Sequence, residues 1–205
     1  MKEGVLQYQL EFSKQPLPAD IDNQALGACR ARLFAKSLIG QDPKRYGGLG
    51  YGNISQRLPK SGKPYAFLIT GSQTGHLSAL KHQHYAWVTA CDPFQNRLQA
   101  FGETAPSSEA MTHAMIYQTL PWVQGVIHVH WPKLWQNALS AGLAVTPAHV
   151  PYGTPQMAAA VQQVLLATHT FPTGSLAMLG HEDGIVVWGE TLDAAEHCLM
   201  QYTEY

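Results

Sequence analysis

The stretch PSSEAMTHAMIYQTLPWVQGVIHVHWP, Pro106 to Pro132, constrains this chain more than any other. It reads as a helix start bearing two hydroxyls and a carboxylate, then a turn, then an apolar strand that ends in His128-Val129-His130. Side chains alternate along a strand, so Val126, His128 and His130 share one face while Ile127 and Val129 share the other. Two imidazoles therefore leave the end of that strand side by side. Neutral imidazole is a good ligand for zinc and its neighbours, so a metal site is the first expectation.

Composition narrows the setting. With 205 residues, 45% of them hydrophobic and 13% charged, the chain can bury a substantial core and reads as one domain over residues 1–205, with 1–20 as an N-terminal arm. A net charge of -1 with no basic run argues against nucleic acid and anionic membrane as partners. The start MKEGVLQYQL lacks the apolar core of a signal peptide and no apolar run is long enough to span a bilayer, so a cytoplasmic setting is expected. Cys29, Cys91 and Cys198 are odd in number and far apart, with no CxxC pair. They indicate neither a disulfide framework nor a thiolate zinc site.

Along the chain, weak alternation through Val5, Tyr8, Leu10 and Phe12 suggests an edge strand. Asp20 or Asp22 caps a helix to about Ile39, buried through Ile21, Leu26, Cys29, Leu33 and Phe34, and Gly40 ends it. Irregular glycine-rich backbone follows before Asn53-Ile54-Ser55 enters a strand. Tyr65 to Thr70 and Tyr85 to Ala90 read as strands, with one helical turn at Leu77 to Leu80 between them. Ser107 is a candidate N-cap for a helix whose inner face is Met111, Ala114, Met115 and Ile116. Its free amides suit an anion, although capping by Ser107 and a first-turn role for Glu109 would explain both residues without a ligand. Further on come a helix from Leu134, a proline-rich loop over residues 145–155, and a helix from Pro155 to Ala167. Asp183-Gly184 between two apolar runs marks a hairpin, and Thr191 or Asp193 caps a last helix. Interleaved helices and strands imply an α/β sandwich.

The histidine pair needs a third ligand. His181, in the hairpin turn after Gly180, is preferred because a turn side chain can reach a neighbouring strand end. Three histidines with an open position make a catalytic rather than a structural zinc site. Glu109 stands beside it as general base or resting ligand, and Glu182 as a residue that orients His181. His113 lies four residues after Glu109 on the same helix face and is the alternative ligand. His82 and His84 read as solvated loop histidines.

The order of these pieces resembles the class II aldolase/adducin family, typified by the zinc-dependent L-fuculose-phosphate aldolase and L-ribulose-phosphate epimerase. The matching stretches are Gly52-Asn53-Ile54-Ser55, Leu68-Ile69-Thr70 followed by Thr74-Gly75, Ser107-Ser108-Glu109, His128-Val129-His130, and Gly180-His181 before a strand. The resemblance implies a three-layer α/β/α sandwich around a mixed sheet and a homotetramer. It also implies Zn2+ or another divalent transition metal on His128, His130 and His181, with Glu109 as acid/base. Asn53, Thr74, Gly75, Ser107 and Ser108 would hold a substrate phosphate. The segment between His130 and Tyr152 is short against the family's pattern, and the candidates for a second acid are Tyr152 or a C-terminal tyrosine from a neighbouring subunit, Tyr202 or Tyr205.

The activity so implied is aldolase-type cleavage of a small hydroxy-carbonyl compound, a sugar phosphate, through a metal-stabilised enediolate. Epimerase, dehydratase or decarboxylase chemistry is the alternative within the family. A non-haem iron oxygenase and a non-catalytic adducin-like binding module are the alternatives outside it.

Overall fold

The computed structural model describes residues 8–58, 62, 65–168 and 171–204. The first half of the chain forms strand β1 (Gln9–Lys14), helix α1 (Gln24–Ala35), and strands β2 (Gly40–Gln41), β3 (Gly50–Tyr51), β4 (Asn53–Arg57), β5 (Phe67–Thr70), β6 (Tyr85–Asp92) and β7 (Arg97–Gly102). Helix α2 (Ala110–Thr119), strand β8 (Gly125–His130), helix α3 (Pro132–Gln136) and strand β9 (Ala144–Thr146) follow. Helix α4 (Pro155–Ala167), strands β10 (Thr173–Met178) and β11 (Gly184–Gly189), and helix α5 (Leu192–Met200) complete it. Val5, part of the expected edge strand, lies outside the described residues.

Among the described residues nine strands make one sheet in the order β1-β7-β6-β5-β4-β8-β11-β10-β9, and β2 pairs with β3 apart from it. The inner pairings are antiparallel, while the edge strands β1 and β9 join in parallel, so the sheet is mixed. Strand alternation divides the core in two. Ile127 and Val129 pack with Leu26, Cys29 and Leu33 of α1 and Leu192, Ala195 and Leu199 of α5. On the other face Val126 packs with Met111, Ala114 and Met115 of α2 and Met157 and Val161 of α4. Each such side chain contributes roughly 1.5–3 kcal/mol by leaving water. The result is the three-layer α/β/α sandwich that the motif order implies.

Three local expectations give way. Helix α1 stops at Ala35 rather than near Ile39, because Ser37 adopts φ 56°. With that turn, Leu38 N–H bonds the Leu33 carbonyl at 3.1 Å and Ser37 N–H the Phe34 carbonyl at 2.9 Å, a double closure that ends a helix. Gly40 is then free to pair with Tyr51, which turns part of the glycine-rich segment into a short ribbon. The chain from Leu77 to Leu80 is not helical; one 3-10 turn follows at His82–His84. Within the proline-rich loop, Val145 and Thr146 belong to β9, whose three residues are too short for a periodic signal.

Candidate metal centre and its anion cleft

Strand β8 lies between β4 and β11, so its last residues are held from both sides. His130 is paired with Gly184, the first residue of β11, and the turn joining β10 to β11 therefore passes over the end of β8. Gly180 lets this happen: a Cβ there would collide with the Val150 carbonyl, so only glycine fits so close an approach. The turn delivers His181 to the strand pair. Ring centroids are 5.0 Å apart for His128 and His130, 5.0 Å for His128 and His181, and 4.9 Å for His130 and His181. One ring nitrogen of each lies within 4.8 Å of the others, and all three residues are buried.

The residues fit a cation. Nδ1 of His128 lies 3.2 Å from the Ile185 carbonyl, which can only accept, so Nδ1 carries the hydrogen. Its Nε2 is then a lone-pair acceptor, buried and without a hydrogen-bond partner among the described residues. Leaving such an atom unsatisfied costs about 1–3 kcal/mol, which a bound metal would offset. Burial, and then the charge that His181 would carry, hold the His128 and His130 imidazoles well below their ordinary pKa. Both are thus kept in the neutral form that ligates.

Glu109 sits at the N-cap position of α2, so Ser107 is not the cap. Its side chain makes no capping bond. Instead Oε2 accepts from Thr112 Oγ1 at 2.9 Å, and Oε1 lies 3.9 Å from Nδ1 of His181. Glu109 thus remains at the positive end of α2 while one of its oxygens faces His181. His113 is buried nearby but turned elsewhere, its Nδ1 2.6 Å from Ser55 Oγ, and burial lowers its pKa to about 3. The structure brings His181, not His113, to the pair.

Glu182 is exposed and does not orient His181. The buried acid of that turn is Asp183, whose φ of 63° carries its side chain inward. Tyr46 Oη donates to Asp183 Oδ2 at 2.5 Å and accepts from Arg45 at 2.7 Å. The Tyr46 ring meets His130 edge-on at 4.6 Å, and Tyr152 stacks flat on His181 at 4.1 Å. Of the tyrosines considered as a second acid, Tyr152 is at the centre. Tyr202 meets Ser175 Oγ at 2.8 Å within its own chain, and Tyr205 lies outside the described residues. Tyr46 was not foreseen, because nothing local marks a loop tyrosine that reaches a hairpin so distant in sequence.

Beside the imidazoles opens a small cleft lined by Asn53, Thr74, Gly75, Ser107, Ser108 and Arg30 among others. Asn53 stands opposite His128 in the register, and Ser108 immediately precedes Glu109, so cleft and imidazole cluster are adjacent. Thr74 Oγ1 donates to the Gly71 carbonyl at 2.8 Å and shapes the turn. A Cβ on Gly75 would strike the Gly40 carbonyl and Gly50 Cα. The turn is tied to the serine segment by Ser72 N–H on the Ala105 carbonyl at 2.7 Å, and Tyr8 Oη holds the Ser107 carbonyl at 2.9 Å. Asn53 Oδ1 is buried with no hydrogen-bond partner among the described residues. Arg30 was missed, though a charged residue beside the apolar stripe of Leu26, Cys29 and Leu33 was a readable signal.

Fold and site together define a class of protein built on a histidine-bearing α/β sandwich. Residues 44–205 match the family described as Class II Aldolase and Adducin N-terminal domain, and the chain belongs to it. The fold is shared with an L-fuculose 1-phosphate aldolase at TM-score 0.67 and 18% identity, covering 92% of this chain and 84% of that one. It is shared too with YgbL from Klebsiella pneumoniae, at TM-score 0.62 and 21% identity, covering 89% and 84%. In sequence, methylthioribulose-1-phosphate dehydratase from Microcystis aeruginosa (strain NIES-843 / IAM M-2473) is 25% identical over 170 residues, which cover 64% of this chain and 81% of that protein. No helix among the described residues is long and apolar enough to cross a membrane.

Proposed function

We infer that this chain is a metal-dependent lyase that cleaves an aldol-type C–C bond in a small phosphorylated hydroxy-carbonyl compound. One observation carries the reading: three buried imidazoles with centroids 4.9–5.0 Å apart, and a buried carboxylate oxygen 3.9 Å from one of them. His128, His130 and His181 would hold a divalent transition metal, zinc being the ion the donor set suits. Bound there, it would supply Lewis-acid stabilisation of negative charge on substrate oxygens. Glu109 passes the proton at the carbon next to the carbonyl, and Thr112 holds the carboxylate in place by its bond to Oε2. Asn53, Ser107, Ser108 and the Thr74-Gly75 turn hold the phosphate by amide, hydroxyl and backbone N–H groups.

The names of the related aldolase and dehydratase both carry a ketose 1-phosphate, which supports that substrate class. The dehydratase favours a second reading, loss of water in place of C–C cleavage. In cleavage Glu109 returns a proton to that carbon; in dehydration it takes one away. The reading extends to a homotetramer, which light scattering of the purified chain tests.

The experiment is metal analysis of the purified protein followed by incubation with ketose 1-phosphates in deuterated water, read by NMR. Aldehyde and ketone-phosphate products define the aldolase, and a dehydrated product defines the dehydratase. A protein that retains no divalent metal and exchanges no C–H proton sinks the lyase reading.

A further inference from the structure

Arg30 lines the cleft and none of the roles above uses it. It lies on the inner side of α1, 1% exposed, with its guanidinium over the Phe34 ring at 4.7 Å. It donates to the carbonyls of Leu77, Thr74 (3.2 Å) and Gly75 (3.4 Å), so one planar fork grips the turn that walls the cleft. No carboxylate among the described residues pairs with it. Burial lowers its pKa.

A buried guanidinium without a counter-ion is costly, and carbonyl dipoles offset only part of that cost. Arg57 offers a comparison. It is also buried on carbonyls, those of Val123 at 2.7 Å, Tyr117 at 2.8 Å and Leu120 at 3.3 Å. The Tyr117 and Leu120 carbonyls sit at the C-terminal end of α2, where the helix dipole supplies negative potential, and Val123 lies in the turn just after it. Among the described residues no helix ends on the turn that Arg30 holds. That turn faces a cleft whose other polar lining includes Asn53, Thr74, Ser107 and Ser108.

The geometry points to Arg30 as the residue that makes this cleft select a dianionic phosphate. Its charge answers the anion from behind the Thr74-Gly75 turn, and its fork keeps that turn in place as the binding wall. It is a specificity and positioning residue that does not touch the reacting carbon. The inference rests on the phosphate reading of the cleft.

The test is titration of the zinc-loaded full chain with inorganic phosphate, following 1H–15N resonances of the Gly75 amide and the Arg30 Nε–H. In the wild type both signals are expected to move along one saturation curve. Arg30→Met should weaken binding by roughly 30-fold or more, the loss typical when one member of a buried charge pair is removed. Arg30→Lys, which keeps the charge without the fork, should lose less, and zinc content should be unchanged in both. An Arg30 signal that stays still while the Gly75 amide moves overturns the inference and spares the phosphate site. So does an Arg30→Met variant that binds phosphate within about threefold of wild type. A wild-type Gly75 amide that ignores phosphate overturns both. If Arg30→Met does not fold, the wild-type resonances and Arg30→Lys decide the matter.

Discussion

Asn53 and His128 face each other across neighbouring antiparallel strands, Asn53 opening β4 and His128 near the end of β8. That pairing joins two sites of different chemistry. On one side Asn53 lines the cleft proposed to hold the phosphate; on the other His128 begins the cluster of imidazoles. Under the proposed function, a substrate with phosphate at one end and a carbonyl near it would span both.

The choice between His181 and His113 can be made by metal binding. His181→Gln is expected to weaken zinc binding at least about 100-fold, more than is usual for losing a residue that only orients a ligand. His113→Gln should leave it within a few-fold, since its ring is bonded to Ser55. Competition against a chelator of known affinity reads both. Equal losses in the two variants would contradict the assignment.

Glu109→Gln removes the base while keeping shape and burial. Turnover should fall by roughly 10²–10⁴-fold with zinc still bound, the range for losing a general acid/base. Thr112→Val deletes only the hydroxyl that donates to Oε2, and its expected effect is a smaller loss of kcat, on the order of tenfold, with KM little changed. Solvent proton exchange at the substrate carbon is the direct readout; full exchange in Glu109→Gln removes it from the role.

Tyr46→Phe keeps the ring against His130 and deletes the hydroxyl that reaches Asp183. The turn bearing His181 then loses a tie to the 45–51 loop, and zinc affinity should drop roughly tenfold. The d–d spectrum of the cobalt-substituted variant should shift with it. An unchanged spectrum and affinity would show that the tie does not position the turn.

Stability of the metal-free chain should depend on pH through His113. Burial lowers its folded pKa to about 3 against an ordinary 6.5, so between these values the unfolded chain binds a proton that the folded one does not. The contribution is complete above the ordinary value and is lost as pH falls toward the folded one, at up to about 1.4 kcal/mol per pH unit. Urea unfolding of wild type and His113→Gln across that window should show a shallower slope for the variant. Identical slopes would mean that His113 titrates normally in the folded chain.

Much of this architecture was legible residue by residue. Alternation in GVIHVHWP assigned Val126 and Ile127 to opposite layers, and both pack where that pattern puts them. Thr191 caps α5 by accepting from Ala194 N–H at 3.0 Å, one of two readings its sequence allowed. Local signals failed where a single backbone angle decided the outcome. Positive φ at Ser37 ended α1 early, and positive φ at Asp183 turned that acid inward while Glu182 stayed in water.

The sequence by itself determined the period of each strand and helix, the turn that carries His181, and which side chains could ligate or move protons, because these follow from short-range backbone and side-chain chemistry. Only the tertiary structure decided that His181 rather than His113 completes the cluster, that Tyr46 reaches Asp183, and that Arg30 grips the Thr74-Gly75 turn. Those contacts join residues 44 to 137 positions apart, and such partners are set by how the layers pack on the sheet. No local pattern encodes them.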